Sequence, residues 1–204
     1  MPSERAIFVV DDDEAVRDSL DALLQSSGHE TRSFATATAF LDVAGDAEPG
    51  CLLLDVRLPD ADGLDVLQRL VGAGFCAPVI IITGHGDVPM AVRAMRNGAM
   101  DFIEKPFDPD ALLDAVGRAL ETRQQLSRTS AQASEAIARF ERLTPRETDV
   151  MRQLVIGQPN KIIAHELGVS PRTVEVHRAR VMEKTGAESL SHLVRMAIAA
   201  GIEP

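Results

Sequence analysis

Polar side chains of a particular kind stand at the ends of short apolar runs. Asp11 and Asp12 follow the run at 6–10, Asp55 follows 51–54, Thr83 follows 78–82, and Lys105, with Pro106 behind it, closes 101–103. If these runs are parallel strands, all five residues converge on one sheet edge. Three carboxylates gathered there repel one another, and a hard divalent cation relieves the repulsion. Mg²⁺ suits the role, since it takes oxygen ligands and keeps several waters. One of the carboxylates can then attack phosphorus to form an aspartyl phosphate. The cation and the lysine would neutralise the transferring oxygens, and the threonine hydroxyl would donate a hydrogen bond. Asp13, the third acid of the run, reads as a helix N-cap. His85 has no partner His or Cys near it and reads as a solvent-facing loop residue.

A second constellation lies near the other end. Thr144 and Glu147 flank Pro145 and Arg146 as a capping box. Asn160 and Ser170 are expected to cap the next two helices, Pro171 starts the second of them, and Gly168 sits in the turn between. This is helix-turn-helix punctuation, and it makes 171–184 the helix that enters a major groove. On a wheel of 100° per residue, Val174 and Val181 mark the inward face. Arg172, Glu175, Val176, Ala179, Arg180 and Glu183 lie opposite. Arg172, Arg178, Arg180 and Lys184 form a rim suited to phosphates. Val176 and Ala179 suit thymine methyls, and Glu175 suits the cytosine amino group.

The elements that must position these residues follow from periodicity. Strands are expected at 6–10, 30–34, 51–54, 78–82 and 101–103, with helices at 14–27, 35–44, 63–71, 87–97 and 108–122. Apolar strands alternating with helices imply a parallel sheet covered on both faces, an α/β fold of the flavodoxin-like doubly wound kind. Residues 123–139, rich in Gln, Ser, Thr, Ala and Arg, read as a linker, with a helical linker as the alternative to an irregular one. Four helices follow, at 144–156, 160–167, 171–184 and 189–200, and no strand. The expected domains are therefore 1–122 and an all-α 140–204, joined by 123–139.

The net charge of −10 argues at first against a nucleic-acid partner. Divided along the chain, it does not. Residues 1–120 carry 9 basic and 21 acidic side chains, a net of −12, whereas 140–204 carry 9 and 8, a net of +1. The acid belongs to the segment with the carboxylate cluster. Cys51 and Cys76 lie in apolar surroundings without metal-ligand spacing and read as two buried thiols of a reducing compartment. No apolar run approaches the roughly 18–20 residues that span a bilayer, and no signal peptide is read, so a cytoplasmic protein with no membrane partner is expected. Trp and Tyr are absent, which disfavours single-strand binding by base stacking.

The segments VVDDDEAVR, LLLDVRLP, IIITGHGD and DFIEKPF, in this order, resemble the receiver domain of two-component response regulators. The resemblance covers 5–120. It implies that Asp55 accepts a phosphoryl group from a sensor histidine kinase. It implies that Asp12, Asp55 and the backbone carbonyl of Arg57 bind Mg²⁺ directly, with Asp11 acting through water. Thr83 and Lys105 would grip the phosphoryl oxygens, and Phe102 would be the aromatic that turns inward as Thr83 moves. LTPRE, NKIIA and LGVSPRTVEVHR resemble the LuxR-type helix-turn-helix domain, which implies that Lys161, Thr173, His177, Arg178 and Lys184 hold the DNA backbone. Together the two halves resemble the NarL/FixJ family. That implies a homodimer formed on phosphorylation through the 87–122 face, with Met90, Val92, Met95 and Met100. It also implies binding to double-stranded promoter DNA and action on RNA polymerase, as an activator. No enzyme activity is expected beyond self-phosphorylation and self-dephosphorylation at Asp55. A rival reading takes Asp11 and Asp13 as the D-x-D of a haloacid-dehalogenase-type phosphatase. It leaves 140–204 without a role.

Overall fold

The structure is a computed structural model that describes residues 6–45, 49–84 and 86–202. The expectations for the first five residues and for His85 lie outside the described residues. The chain divides into two compact units, Met1–Gln125 and Leu126–Pro204.

In the first unit, strands β1 (Ile7–Val10), β2 (Thr31–Phe34), β3 (Cys51–Asp55), β4 (Val79–Thr83) and β5 (Asp101–Glu104) alternate with helices. These are α1 (Glu14–Ser26), α2 (Ala37–Ala44), α3 (Gly63–Gly72), α4 (Val88–Arg96) and the start of α5 (Pro109–Phe140). The sheet is parallel with strand order β2-β1-β3-β4-β5, the flavodoxin-like order. β1, β3 and β4 are buried throughout because helices cover both faces, which is why their sequences are unbroken apolar runs. Alternate residues serve opposite layers. Phe8, Val10, Leu52, Leu54 and Ile81 pack with Phe40, Leu64, Leu67 and Ala94 of α2–α4. Ile7, Val9, Leu53, Ile80 and Ile82 pack with Leu20, Leu24, Leu112 and Val116 of α1 and α5.

Phe40 pins α2 to this sheet. It is fully buried, and its ring centroid lies 6.3, 5.8 and 6.1 Å from those of Phe8, Phe34 and Phe75, with the planes steeply inclined. Such edge contacts add to the apolar burial.

The second unit holds α6 (Pro145–Val155), α7 (Asn160–Leu167), α8 (Pro171–Thr185) and α9 (Leu190–Ala199). Their shared core includes Val150, Leu154, Ile163, Val174, Val181, Leu193 and Ala197.

Three details differ from the expectations. The 123–139 stretch is helical throughout as part of α5, which runs unbroken to Phe140, and most of it groups with the second unit. No Gly or Pro interrupts the chain from Arg118 to Thr144, and the Ala, Gln, Arg and Leu there favour helix. From Leu126 the helix belongs to the second unit, where Ala136 and Phe140 enter the core and Arg139 Nη1 donates to the Thr185 carbonyl at 2.8 Å. One Ala and one Phe a turn apart make too narrow a stripe to stand out as a packed face. Cys76 is exposed rather than buried, because it falls in the turn after α3, with its thiol on the Gly74 carbonyl. Cys51 is buried as expected, and burial pushes its thiol up to about 12, leaving it unreactive. Asn160 does not cap α7: it is the first helical residue, and its buried Oδ1 has no hydrogen-bond partner. Among the described residues no helix is long and apolar enough to cross a membrane.

The aromatic cluster yields a direct test. Phe40→Ala should destabilise the first unit by about 3–5 kcal/mol, read as an earlier urea-unfolding transition.

Candidate functional site

β1 and β3 are paired with Val10 opposite Leu54, so the next residues, Asp11 and Asp55, emerge at the same level of the carboxyl edge. β4 ends beside them at Thr83, which is buried. Its carbonyl accepts the Lys105 N–H at 2.8 Å, so the end of β5 is held alongside. The Lys105–Pro106 bond is cis. The Lys105 ammonium then lies 2.5 Å from Asp11 Oδ2 and 3.3 Å from Asp55 Oδ2.

Asp11 is 1% exposed and bound on every side. Its N–H donates to the Phe34 carbonyl, its carbonyl accepts from Arg17 Nη1, and its Oδ1 accepts the Asp13 N–H. Asp55, 6% exposed, accepts the Val56 N–H at 2.7 Å. Burial raises the Asp55 carboxyl above its ordinary range; the Asp11 charge adds to the rise, and Lys105 opposes it. A carboxylate held this way is more basic than one in water, which suits a nucleophile. Asp12 is exposed, and one oxygen from each of Asp11, Asp12 and Asp55 lies within 4.8 Å of the others. Three hard oxygen donors, one of them open to solvent, fit a Mg²⁺ ion that retains waters. Phe102 is half-buried on β5 with its ring against Gly86, where an added Cβ would come within 3.0 Å of two ring carbons.

Asp13 caps α1 by accepting the Ala15 N–H at 2.9 Å. That occupies the second acid of the D-x-D reading. Two further residues stand in the segment that follows Asp55. Gly63 opens α3 directly against β3, and its N–H donates to the Val56 carbonyl at 2.7 Å. A Cβ on Gly63 would stand 2.0 Å from the Asp55 carbonyl oxygen. Asp60, in the loop between them, binds the start of α2. Gly63 was open to detection as the residue after the N-cap Asp62. Nothing in the neighbouring sequence signals Asp60, whose partners lie 22 and 23 residues away.

In the second unit, Ser170 caps α8 by accepting the Thr173 N–H at 3.1 Å, and Gly168 ends α7 in the left-handed conformation at φ 65°. Val174 and Val181 are buried, while Arg172, Glu175, Val176, Ala179 and Arg180 are exposed along one face of α8. His177 and Arg178 are half-buried beside them, Thr173 bonds through its hydroxyl to Ser170, and Lys161 is exposed at the start of α7. Lys184 departs from the expected rim. Its ammonium lies 2.6 Å from Glu147 Oε2, a carboxylate only 2% exposed, so it ties the end of α8 to the start of α6 while remaining half-buried. Glu147 also accepts the Thr144 N–H, completing the capping box. The Lys184 bond, then the Thr144 N–H, draw the Glu147 carboxyl down to about 2.

Two outcomes follow from these contacts. Gly63→Ala should lower stability by about 1–3 kcal/mol in urea unfolding, because the methyl collides with backbone rather than with a movable side chain. Glu147 is held below its ordinary range, so its contribution to stability is complete above that range. It should be lost as pH falls from about 4.5 to about 2. Circular dichroism melts across that window should show a falling melting temperature that Glu147→Gln largely abolishes.

Comparison with known proteins agrees with both halves. The response regulator receiver domain family matches residues 7–117, and the luxR family of bacterial regulatory proteins matches 141–197. The transcriptional regulatory protein FixJ of Azorhizobium caulinodans is 48% identical over 204 residues, covering 100% of this chain and 97% of that one. A low-resolution structure of the response regulator StyR superposes with a TM-score of 0.83 at 39% identity, covering 96% of this chain and 99% of that one. The structure of full-length FixJ from B. japonicum gives 0.60 at 46% identity, covering 98% and 99%. With a carboxylate site at the sheet edge of its first unit and helix-turn-helix packing in its second, this chain belongs to the response regulators that join a receiver domain to LuxR-type DNA-binding helices, the family of phosphorylation-dependent transcription regulators.

Proposed function

We propose that Asp55 is the phosphoacceptor of this regulator, and that its phosphorylation drives dimerisation and promoter binding. The observation that carries the reading is the convergence of Asp11, Asp12, Asp55 and Lys105 at one buried edge. An Asp55 oxygen would attack the phosphorus of a kinase phosphohistidine. The P–N bond breaks, and the leaving imidazole takes up a proton. Asp12, Asp55 and the Arg57 carbonyl would hold Mg²⁺, with Asp11 acting through water. The bound ion would neutralise charge on the phosphoryl oxygens. Lys105 would move from its two carboxylates onto one of those oxygens, and Thr83 would donate to another. Movement of Thr83 would free space into which Phe102 turns, shifting the α4–β5–α5 face between two states.

That face offers a dimer surface. Val88, Val92 and Met95 of α4 are exposed, whereas Met90 and Met100 are half-buried in the unit's own layers. Two receivers joined there would set two α8 helices against two half-sites of double-stranded promoter DNA. Arg172, Arg178, Arg180, Lys161, Thr173 and His177 would address phosphates, and Glu175, Val176 and Ala179 would address base edges. Lys184 acts through Glu147 rather than on DNA. On α9, Leu190 and Ile198 remain exposed while Leu193 and Ala197 face the core, so this helix would offer a second contact between DNA-bound copies. The likeness to transcriptional regulatory proteins supports action on transcription, which would be that of an activator working through RNA polymerase in the cytoplasm.

Asp55→Asn should abolish both the covalent label from a small phosphodonor and the donor-dependent gain in DNA affinity. Retention of either would overturn the phosphoacceptor reading. Salt titration separates the cationic side chains. Arg172→Ala or Arg180→Ala should lower the slope of log affinity against log salt by about 0.9 per lost phosphate contact. Lys184→Met should leave that slope unchanged.

A further inference from the structure

The loop between β3 and α3 begins at Asp55 and carries Arg57. Its base is closed by the Gly63 N–H on the Val56 carbonyl, by the bridge between Arg57 and Asp62, and by Asp62 capping α3. These bonds fix the ends of the loop and leave its tip to be fixed by something else. At the tip, Asp60 reaches across to the start of α2. Its Oδ1 accepts the Ala37 N–H at 3.0 Å, and its Oδ2 accepts both the Thr38 N–H at 2.8 Å and the Thr38 hydroxyl at 2.6 Å. α2 already has a cap of its own, since Thr36 accepts the Ala39 N–H. Asp60 therefore satisfies the two amides of the first turn that Thr36 does not reach. An ionised carboxylate at a helix start is well placed electrostatically. An exposed contact of this kind contributes little to overall stability. Its effect is on geometry.

The path through α2 leads back to the acid site. Two residues before Thr36, the Phe34 carbonyl accepts the Asp11 N–H at 3.1 Å. A circuit of backbone and hydrogen bonds thus runs from Asp11 through Phe34, the start of α2 and Asp60 to Arg57 and Asp55. Lys105 joins the two carboxylates directly, and Asp60 joins the segments that carry them. We propose that Asp60 is a positioning residue: by clamping the Val56–Asp62 loop tip to the start of α2, it holds the Arg57 carbonyl and Asp55 in register with Asp11 and Asp12. This rests on the reading of that cluster as the Mg²⁺ and phosphoryl site. Asp60 itself touches neither group. Loss of supporting bonds behind metal ligands commonly weakens metal affinity by about tenfold or more.

The experiment is a Mg²⁺ titration of the full-length chain by calorimetry, without a phosphodonor. Asp60→Ala should weaken Mg²⁺ binding about tenfold, with a melting temperature close to that of the parent. Thr38→Val removes one of the three bonds from the other side and should weaken binding by a smaller factor. Added to Asp60→Ala, it should have no further effect. Labelling of Asp60→Ala by acetyl phosphate, followed by intact mass, should be slow at limiting Mg²⁺ and return to the parent rate at saturating Mg²⁺. If Asp60→Ala unfolds the chain, Thr38→Val and its calorimetric affinity still decide. Parental Mg²⁺ affinity in the folded Asp60 or Thr38 variants, alongside loss of binding in Asp12→Asn, would overturn the positioning role and leave the site reading intact. Absence of Mg²⁺ binding by the parent itself would instead overturn the site reading, and the positioning role with it.

Discussion

Lys105 lies between two nearly buried carboxylates, Asp11 and Asp55, and the rest of the first unit is arranged around that pairing. Charges removed from water need partners close at hand. One ammonium cannot balance three carboxylates, so the edge keeps an excess of negative charge and a demand for a further cation. Burial, with the Asp11 charge adding to it against Lys105, keeps Asp55 basic. Meeting that demand requires the ends of three strands to stop at one level. A parallel sheet achieves this because every strand presents its carboxyl end on the same side.

The second unit contains a smaller version of this arrangement. Glu147 is almost fully buried, and Lys184 answers it from the far end of α8. Here acid and base are matched one to one, and the result is fixation of a helix. In the first unit they are mismatched, and the result is a place for chemistry. The contrast explains why two ion pairs of similar depth serve different ends. One orients the surface of α8 that faces outward; the other leaves a buried carboxylate beside an unmatched negative charge.

Much of this was legible along the chain. The runs at β1, β3 and β4 are buried on both faces, so their sequences carry no polar interruption that would obscure them. Thr144, Ser170 and Gly168 act on amides and carbonyls within a few residues, so their capping roles could be read locally. Other features were not legible because their partners are distant in sequence. Lys184 looks like one more cation on a basic helix until Glu147 appears beside it, 37 residues away. Cys76 has apolar neighbours in the chain, yet its turn leaves it exposed. The 123–139 stretch has too few apolar residues to mark a packed face, although Ala136 and Phe140 do pack.

The sequence by itself determined the strand and helix order, the identity of the acids, the hydroxyl and the lysine at the strand ends, and the face of α8 that stays in water. Each of these follows from periodicity and from local hydrogen bonding, which depend on neighbours in the chain. Only the tertiary structure decided that Lys184 serves Glu147, that Gly63 must lack a side chain against Asp55, and that Asp60 ties the loop after Asp55 to α2. The reason is physical. Hydrogen bonds, ion pairs and steric contacts act over a few ångströms, and packing of the sheet and helices alone brings residues tens of positions apart within that range.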